Sequence, residues 1–305
     1  MPRLSRATRE TIQTIAVVVA VIILILVFVV YPLNRIRVMM GRSDDRSYKP
    51  DSLPPNDITS FVNAGLNPDS FHIETDGLTK LAAVYWHPAE GAPPRGLAIL
   101  IPDERSDRTS FVALAGMLRD SGLAVVAYDP RATGLSSGKY HGEGQYESSD
   151  LEAIVGYLEI HGKLVRPLVV VGRELGAEAA MLAQLEEERM DGVLAIRPYL
   201  TTGRLIDKLT VERGIMWFPF RAKMLWWWYN IRSGYAAPFR GLDAIKPVRA
   251  ATRVLIDASA AADPELTKLR EVSSPELLTI KTVETGDSVL FTEILELMQS
   301  ASQKH

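Results

Sequence analysis

The chain has 305 residues, 47% apolar and 23% charged, and its 34 basic against 37 acidic side chains leave a formal net charge of -3. That balance excludes the strongly basic face of a nucleic-acid binder and suits one or two globular units. Cysteine is absent, which removes disulfides, thiol catalysis and cysteine-held metal but leaves the redox compartment open.

From Thr11 to Asn34 no side chain is charged, and Val, Ile and Leu dominate from Ile15 to Val30. A helix of about 20 such residues crosses the hydrocarbon of a bilayer. The run exceeds the apolar region of a secretory signal and is followed by Tyr31-Pro-Leu-Asn-Arg35, not by a small-x-small cleavage site. Residues 1–36 therefore read as a tail and an uncleaved single-pass anchor, with residues 12–33 in the lipid bilayer. Arg3, Arg6 and Arg9 on one side and Arg35, Arg37, Arg42, Arg46 and Lys49 on the other are too evenly matched to set the membrane side of the soluble part.

Residues 37–69 carry polar stretches, Ser43-Asp-Asp-Arg46 and Pro50-Asp-Ser-Leu-Pro-Pro55, without an apolar period, and read as a linker. A single domain is expected over residues 70–301. Its strand-length apolar runs are Phe71–Thr75, Leu81–Trp86, Leu97–Ile101, Ala124–Tyr128, Leu168–Val171, Val193–Ile196, Val254–Ile256 and Leu277–Val283, with helical patterns between most of the later ones. Two strands in succession, then strand-helix units, predict an α/β fold: about eight strands in a mostly parallel sheet with helices on both faces.

The strand at Leu168–Val171 runs into Gly172-Arg173-Glu174-Leu175-Gly176, and Ala177–Met190 follows with helix formers at apolar spacing. Strand, sharp turn and helix in that order make the frame of a G-x-S-x-G nucleophile elbow, with glutamate in the place of serine. The turn needs small residues two before and two after its apex, and Gly172 and Gly176 supply them. The plainer alternative is an ordinary glycine-containing loop with a carboxylate at a helix N-terminus, where backbone N–H groups and the dipole favour it.

Gly122-Leu-Ala-Val-Val-Ala-Tyr-Asp-Pro-Arg-Ala-Thr-Gly-Leu-Ser-Ser-Gly138 resembles a strand followed by D-x-R-G-x-G-x-S-x-G, with Ala132 in the place of the first glycine. Gly144-Gln-Tyr146 with Asp150 resembles a G-x-Y-x-D segment, and the runs Pro247–Ile256 and Leu277–Val283 resemble the strands that lead to a catalytic acid and a catalytic histidine. Over roughly residues 70 to 300 the chain thus resembles the α/β-hydrolase superfamily, and within it the membrane-anchored serine hydrolases of the Bem46-like group. The resemblance implies an α/β-hydrolase fold with a lid segment at about 199–240.

It also implies a triad whose positions are here degenerate: Glu174 for the nucleophile, Ala262 or Asp263 for the acid, and Asp287 for the histidine. The oxyanion-hole positions are Asp103, preceded by Pro102, and Leu175. After His161 the only histidine is His305, so no late imidazole can activate a nucleophile. The expected function is a pseudohydrolase that binds a lipid-like ligand or a protein partner, with no cofactor, no metal and no nucleic acid.

Two other functions stay open: an active ester or acyl-lipid hydrolase built around Glu174, Asp287 and His141, and a structural subunit of a membrane complex. His141, in the loop Ser137-Gly-Lys-Tyr-His-Gly142, is the one substitute base, against the plainer reading of a solvated loop histidine. Trp217, Phe218, Trp226, Trp227 and Trp228, beside Arg221 and Lys223, suit either a cover over a lipid-like ligand and the membrane interface or an ordinary packed helix. Asp103, Glu174, Asp263 and Asp287 map to one pocket and could hold a hard cation, unless Arg105, Arg131 and Arg173 pair with them instead.

Overall fold

A computed structural model describes residues 5–42, 57–75, 79–142, 144–201, 227–228, 247–260, 263–283 and 286–303. It divides into two compact units, Met1–Met39 with Leu205–Pro238, and Met40–Arg204 with Phe239–His305.

In the first unit, helix α1 (Arg6–Ile25) starts where the Ser5 side chain accepts the Thr8 N–H at 3.2 Å. It continues through a π-helical turn, Leu26–Val30, into α2 (Tyr31–Met40). The stretch Arg6–Asn34 reaches a mean hydropathy of 3.3, and no residue of α1 is buried. By length and composition this helix is able to cross a membrane. Pro32 has no N–H to give to the carbonyl four residues back, and the Trp228 indole donates to that carbonyl, on Phe28, at 2.8 Å. Trp227, packed edge-on against Trp228 at 4.9 Å, is 54% exposed. Trp217, Phe218, Trp226 and most of the expected lid lie outside the described residues.

The second unit is built on one eight-stranded sheet: β1 (Asp69–Thr75), β2 (Thr79–Trp86), β3 (Leu97–Ile101), β4 (Ala124–Tyr128), β5 (Leu168–Arg173), β6 (Gly192–Ile196), β7 (Ala251–Ile256) and β8 (Leu278–Thr282). The order across it is β1-β2-β4-β3-β5-β6-β7-β8, antiparallel from β1 to β4 and parallel from β4 onward. Each expected strand is present. The two-residue period divides the core: Leu97, Ile99 and Ile101 of β3 pack on one face, Ala98 and Leu100 on the other.

Helices α5 (Gln145–Ile160), α6 (Leu175–Ala183) and α7 (Pro264–Val272) cover the first face through Leu151, Ile154, Ala180 and Leu266. Helices α4 (Val112–Asp120) and α8 (Asp287–Ser302), with the short α3 (Thr59–Asn63), cover the second through Leu114, Leu118, Leu290, Ile294 and Phe61. The helix expected to run to Met190 ends at Ala183. There the chain closes into tight turns, and the buried Gln184 turns its Oε1 to the N–H groups of Arg249 and Ala250 and to the Thr252 hydroxyl.

The loop after β4 is built around Asp129. Its carboxylate accepts the Arg108 N–H at 2.8 Å and the Leu135 N–H at 2.7 Å, and it pairs with the buried Arg108 guanidinium. Gly134 has φ 44°, and a Cβ there would stand 2.2 Å from the Asp129 carboxylate. Ala132, where the resemblance expects glycine, still takes the left-handed backbone at φ 58°. Arg131 grips Asp150 through two hydrogen bonds of 2.8 and 2.6 Å, and Thr75 donates to the same carboxylate at 2.8 Å.

Candidate functional site

The parallel strands end along one edge, which carries the turn Gly172–Gly176, the loop after β3 and the segment after β6. At the apex Glu174 has φ 49° and ψ -105°, a conformation that L-residues rarely adopt. The neighbours explain how it is held. A Cβ on Gly172 would lie 2.1 Å from the Gly176 carbonyl oxygen, and one on Gly176 2.5 Å from that of Ile101. The Glu174 N–H is tied to the Ile196 carbonyl at 2.8 Å. The strained turn of a nucleophile elbow is therefore present, and its apex residue is an acid.

The Glu174 side chain is 16% exposed and engaged. Its Oε2 lies 2.9 Å from the Tyr199 hydroxyl, and its Oε1 lies 3.4 Å from an Arg197 guanidinium nitrogen. The same hydroxyl lies 2.9 and 3.1 Å from the two carboxylate oxygens of Glu104 in the loop after β3. Burial, then Glu104 and Glu174, push the tyrosine pKa far up, so the hydroxyl keeps its single proton and two carboxylates share one donor. None of Glu104, Arg197 and Tyr199 stands at a motif spacing, and sequence reading missed all three.

The other expected positions have partners of their own. Asp287, which the resemblance sets at the histidine position, opens α8 and pairs with Arg173 at 3.3 Å, while that guanidinium lies 4.5 Å above the Phe111 ring. Burial lowers the Arg173 pKa, and Asp287 and Asp103 act against that shift. Asp103 accepts the Arg105 N–H at 2.8 Å within its own turn. Asp263, nearly fully buried, caps α7 by accepting the Glu265 N–H at 3.0 Å, and it lines a cavity of about 70 Å³ with Arg197, Leu200 and Asp257. Ala262 lies outside the described residues. Leu175 is the buried first residue of α6.

Two expectations need correction. The four acids do not converge: among the described residues no three His, Asp or Glu side chains form a group able to hold a metal ion. Capping takes Asp263 and an arginine takes Asp287, the ion pair being the commoner fate of such acids. His141 is neither solvated nor poised as a base. It is 2% exposed, its ring nitrogens have no hydrogen-bond partner among the described residues, and Glu147 stays 3.9 Å away. Burial, with the Arg42 and Arg131 charges, lowers its pKa to about 4.

No protein-family model matches the sequence, and no curated protein matches it. Solved structures do match. An esterase of Pyrococcus furiosus superposes with a TM-score of 0.62 at 17% identity, covering 78% of this chain and 93% of the esterase. Est1E from Butyrivibrio proteoclasticus, with ferulic acid bound, gives 0.57 at 14% identity, covering 76% and 99%. A 2,6-dihydroxy-pseudo-oxynicotine hydrolase gives 0.54 at 16% identity, covering 78% and 67%. The chain has the α/β-hydrolase fold. In that fold the residues carried by the turn after β5 and by the loops after β3 and β6 share one sheet edge, which is where Glu174, Glu104 and Tyr199 meet.

One turn beyond Glu174, Glu178 is fully enclosed. Its Oε1 accepts the Leu200 N–H at 2.6 Å, and its Oε2 has no hydrogen-bond partner among the described residues. Burial pushes its pKa up to about 7, against the pull of the Leu200 and Tyr199 N–H groups. The folded state therefore keeps a proton that the unfolded chain releases above its ordinary value of 4.5, so stability falls as pH rises from 4.5 to about 7 and stays lower above it. Glu178→Gln cannot ionise. Denaturant unfolding at pH 8 should find the variant more stable by on the order of 2 kcal/mol, with the difference gone near pH 4.5. A variant that loses stability equally at both pH values would contradict the assignment.

Proposed function

We propose that the chain is a single-pass membrane protein whose α/β-hydrolase-fold unit binds a ligand or partner and does not hydrolyse esters. The observation that carries this reading is Glu174 at the elbow, with its carboxylate held by Tyr199 and Arg197. Serine hydrolysis needs a hydroxyl, an imidazole to take its proton and an acid to hold the imidazole. At this elbow the apex is an acid, and the position of the imidazole belongs to Asp287, paired with Arg173. A carboxylate could attack an ester, but the acyl intermediate would then need a base to activate water. His141, buried and with a depressed pKa, is poorly suited to that work. The apolar helix, long enough to span a bilayer, supports the anchoring.

The test is hydrolysis of short- and long-chain acyl esters by the full chain in detergent, beside Glu174→Gln and Glu174→Ser, together with labelling by a serine-directed fluorophosphonate. The expected result is no turnover above the uncatalysed rate for any of the three, and no label on the wild type. Turnover by the wild type that Glu174→Gln abolishes would give the glutamate a chemical role and overturn the reading. If the unit binds rather than hydrolyses, lipids and partners should be sought with the same three proteins.

A further inference from the structure

The segment just beyond α2 is fastened to the loop after β4. Gly41 forms an antiparallel bridge with Tyr140, and the Arg42 N–H donates to the Lys139 carbonyl at 3.0 Å. The Arg42 guanidinium donates to the Ser136 carbonyl at 2.7 Å and to the Gly134 carbonyl. That loop is in turn fixed to the sheet: the Ser136 and Ser137 hydroxyls accept the N–H groups of Ala82 and Lys80 at 2.9 and 2.8 Å. Hydrogen bonds thus join Arg42 to the loop and the loop to β2, the Ser137 N–H donating to the Lys80 carbonyl at 2.9 Å as well.

We propose that the loop Gly134–Tyr140 is the face by which the α/β unit meets lipid headgroups. The inference rests on reading residues 12–33 as an anchor. Only eight positions separate Asn34, the end of the apolar stretch, from Arg42. Such a segment reaches about 12 Å as helix and about 28 Å fully extended. The headgroup layer fills roughly 5–8 Å of that span, so the point at which Arg42 is clasped lies no more than about 23 Å beyond it. Lys139 is exposed, with its ammonium 5.6 Å from the centre of the Tyr140 ring. A basic and an aromatic side chain side by side are the pair that the interface favours, the lysine for anionic headgroups and the ring for the apolar boundary.

The chain has no cysteine, so one introduced thiol reports one place. Lys139→Cys and, as the contrast, Ile160→Cys are labelled with a small fluorophore in the full chain and reconstituted into vesicles containing phosphatidylserine and headgroup-nitroxide lipid in both leaflets. Ile160 is 83% exposed at the end of α5, where the chain has returned to the opposite edge of the sheet before entering β5. Quenching several-fold stronger at position 139 than at 160 is expected. Equal quenching, with the protein still in the vesicles after an alkaline carbonate wash, overturns the proposal alone. Release of the protein by that wash overturns the anchor reading and the proposal with it.

Discussion

Gly172→Ala and Gly176→Ala are each expected to lose more than about 4 kcal/mol of stability, enough to leave little folded protein. The added methyl at position 172 would stand 2.1 Å from the Gly176 carbonyl oxygen and 2.5 Å from the Ala177 nitrogen. At position 176 it would stand 2.5 Å from the Ile101 oxygen and 2.8 Å from that of Pro102. All four atoms are backbone, in α6 or at the end of β3, so none can swing aside as a side-chain end would. Gly156, in the middle of α5, has nothing within 4 Å of the same added atom. Gly156→Ala should therefore gain about 0.5–1 kcal/mol from helix propensity and the stiffer unfolded chain. Soluble yield and thermal unfolding of the three variants measure the contrast. A Gly176→Ala protein that unfolds like the wild type would mean that α6 does not press on the end of β3.

The same glycines show how much of the molecule can be read from residues alone. Strand-length runs bounded by turn residues locate all eight strands, because a buried parallel sheet requires continuous apolar segments and leaves little freedom in their placing. The elbow is legible for a steric reason: its two glycines are the only side-chain choice the turn permits. The pairing of Asp287 with Arg173 was foreseeable as a class, an acid with a nearby arginine, though not as a contact across 114 positions of chain. Tyr199, Glu104 and Arg197 were not legible. They meet Glu174 only because β5 lies between β3 and β6 in the sheet, a topological fact with no trace in local spacing. His141 misled because a glycine-rich polar loop ordinarily reads as solvated. Here the loop is folded under Arg42 and beside Glu147, and its histidine is enclosed.

Arg108→Met should destabilise the α/β unit by about 3–5 kcal/mol at neutral pH, because it leaves a buried carboxylate without its counter-charge. Asp129 is fully buried, Arg108 is 2% exposed, and the pair joins the segment before α4 to the end of β4. Arg108 also donates to the Asp57 carbonyl at 2.9 Å and lies 6.0 Å from the centre of the Phe61 ring. Burial raises the Asp129 pKa, and the Arg108 charge and two N–H donors oppose it. Without the guanidinium the carboxyl would rise further and take up a proton in the folded state. The variant's deficit should then shrink on acidification, since a folded-state pKa above the unfolded one makes stability fall as pH rises. Denaturant unfolding of wild type, Arg108→Met and Asp129→Asn at pH 5 and pH 8 separates the terms. Asp129→Asn keeps an acceptor oxygen for only one of the N–H groups of Arg108 and Leu135, which the aspartate receives on separate oxygens, and it strands the guanidinium, so its deficit should not be relieved at pH 5. Equal pH dependence in the two variants would mean that packing around Phe61, not charge, is what the pair supplies.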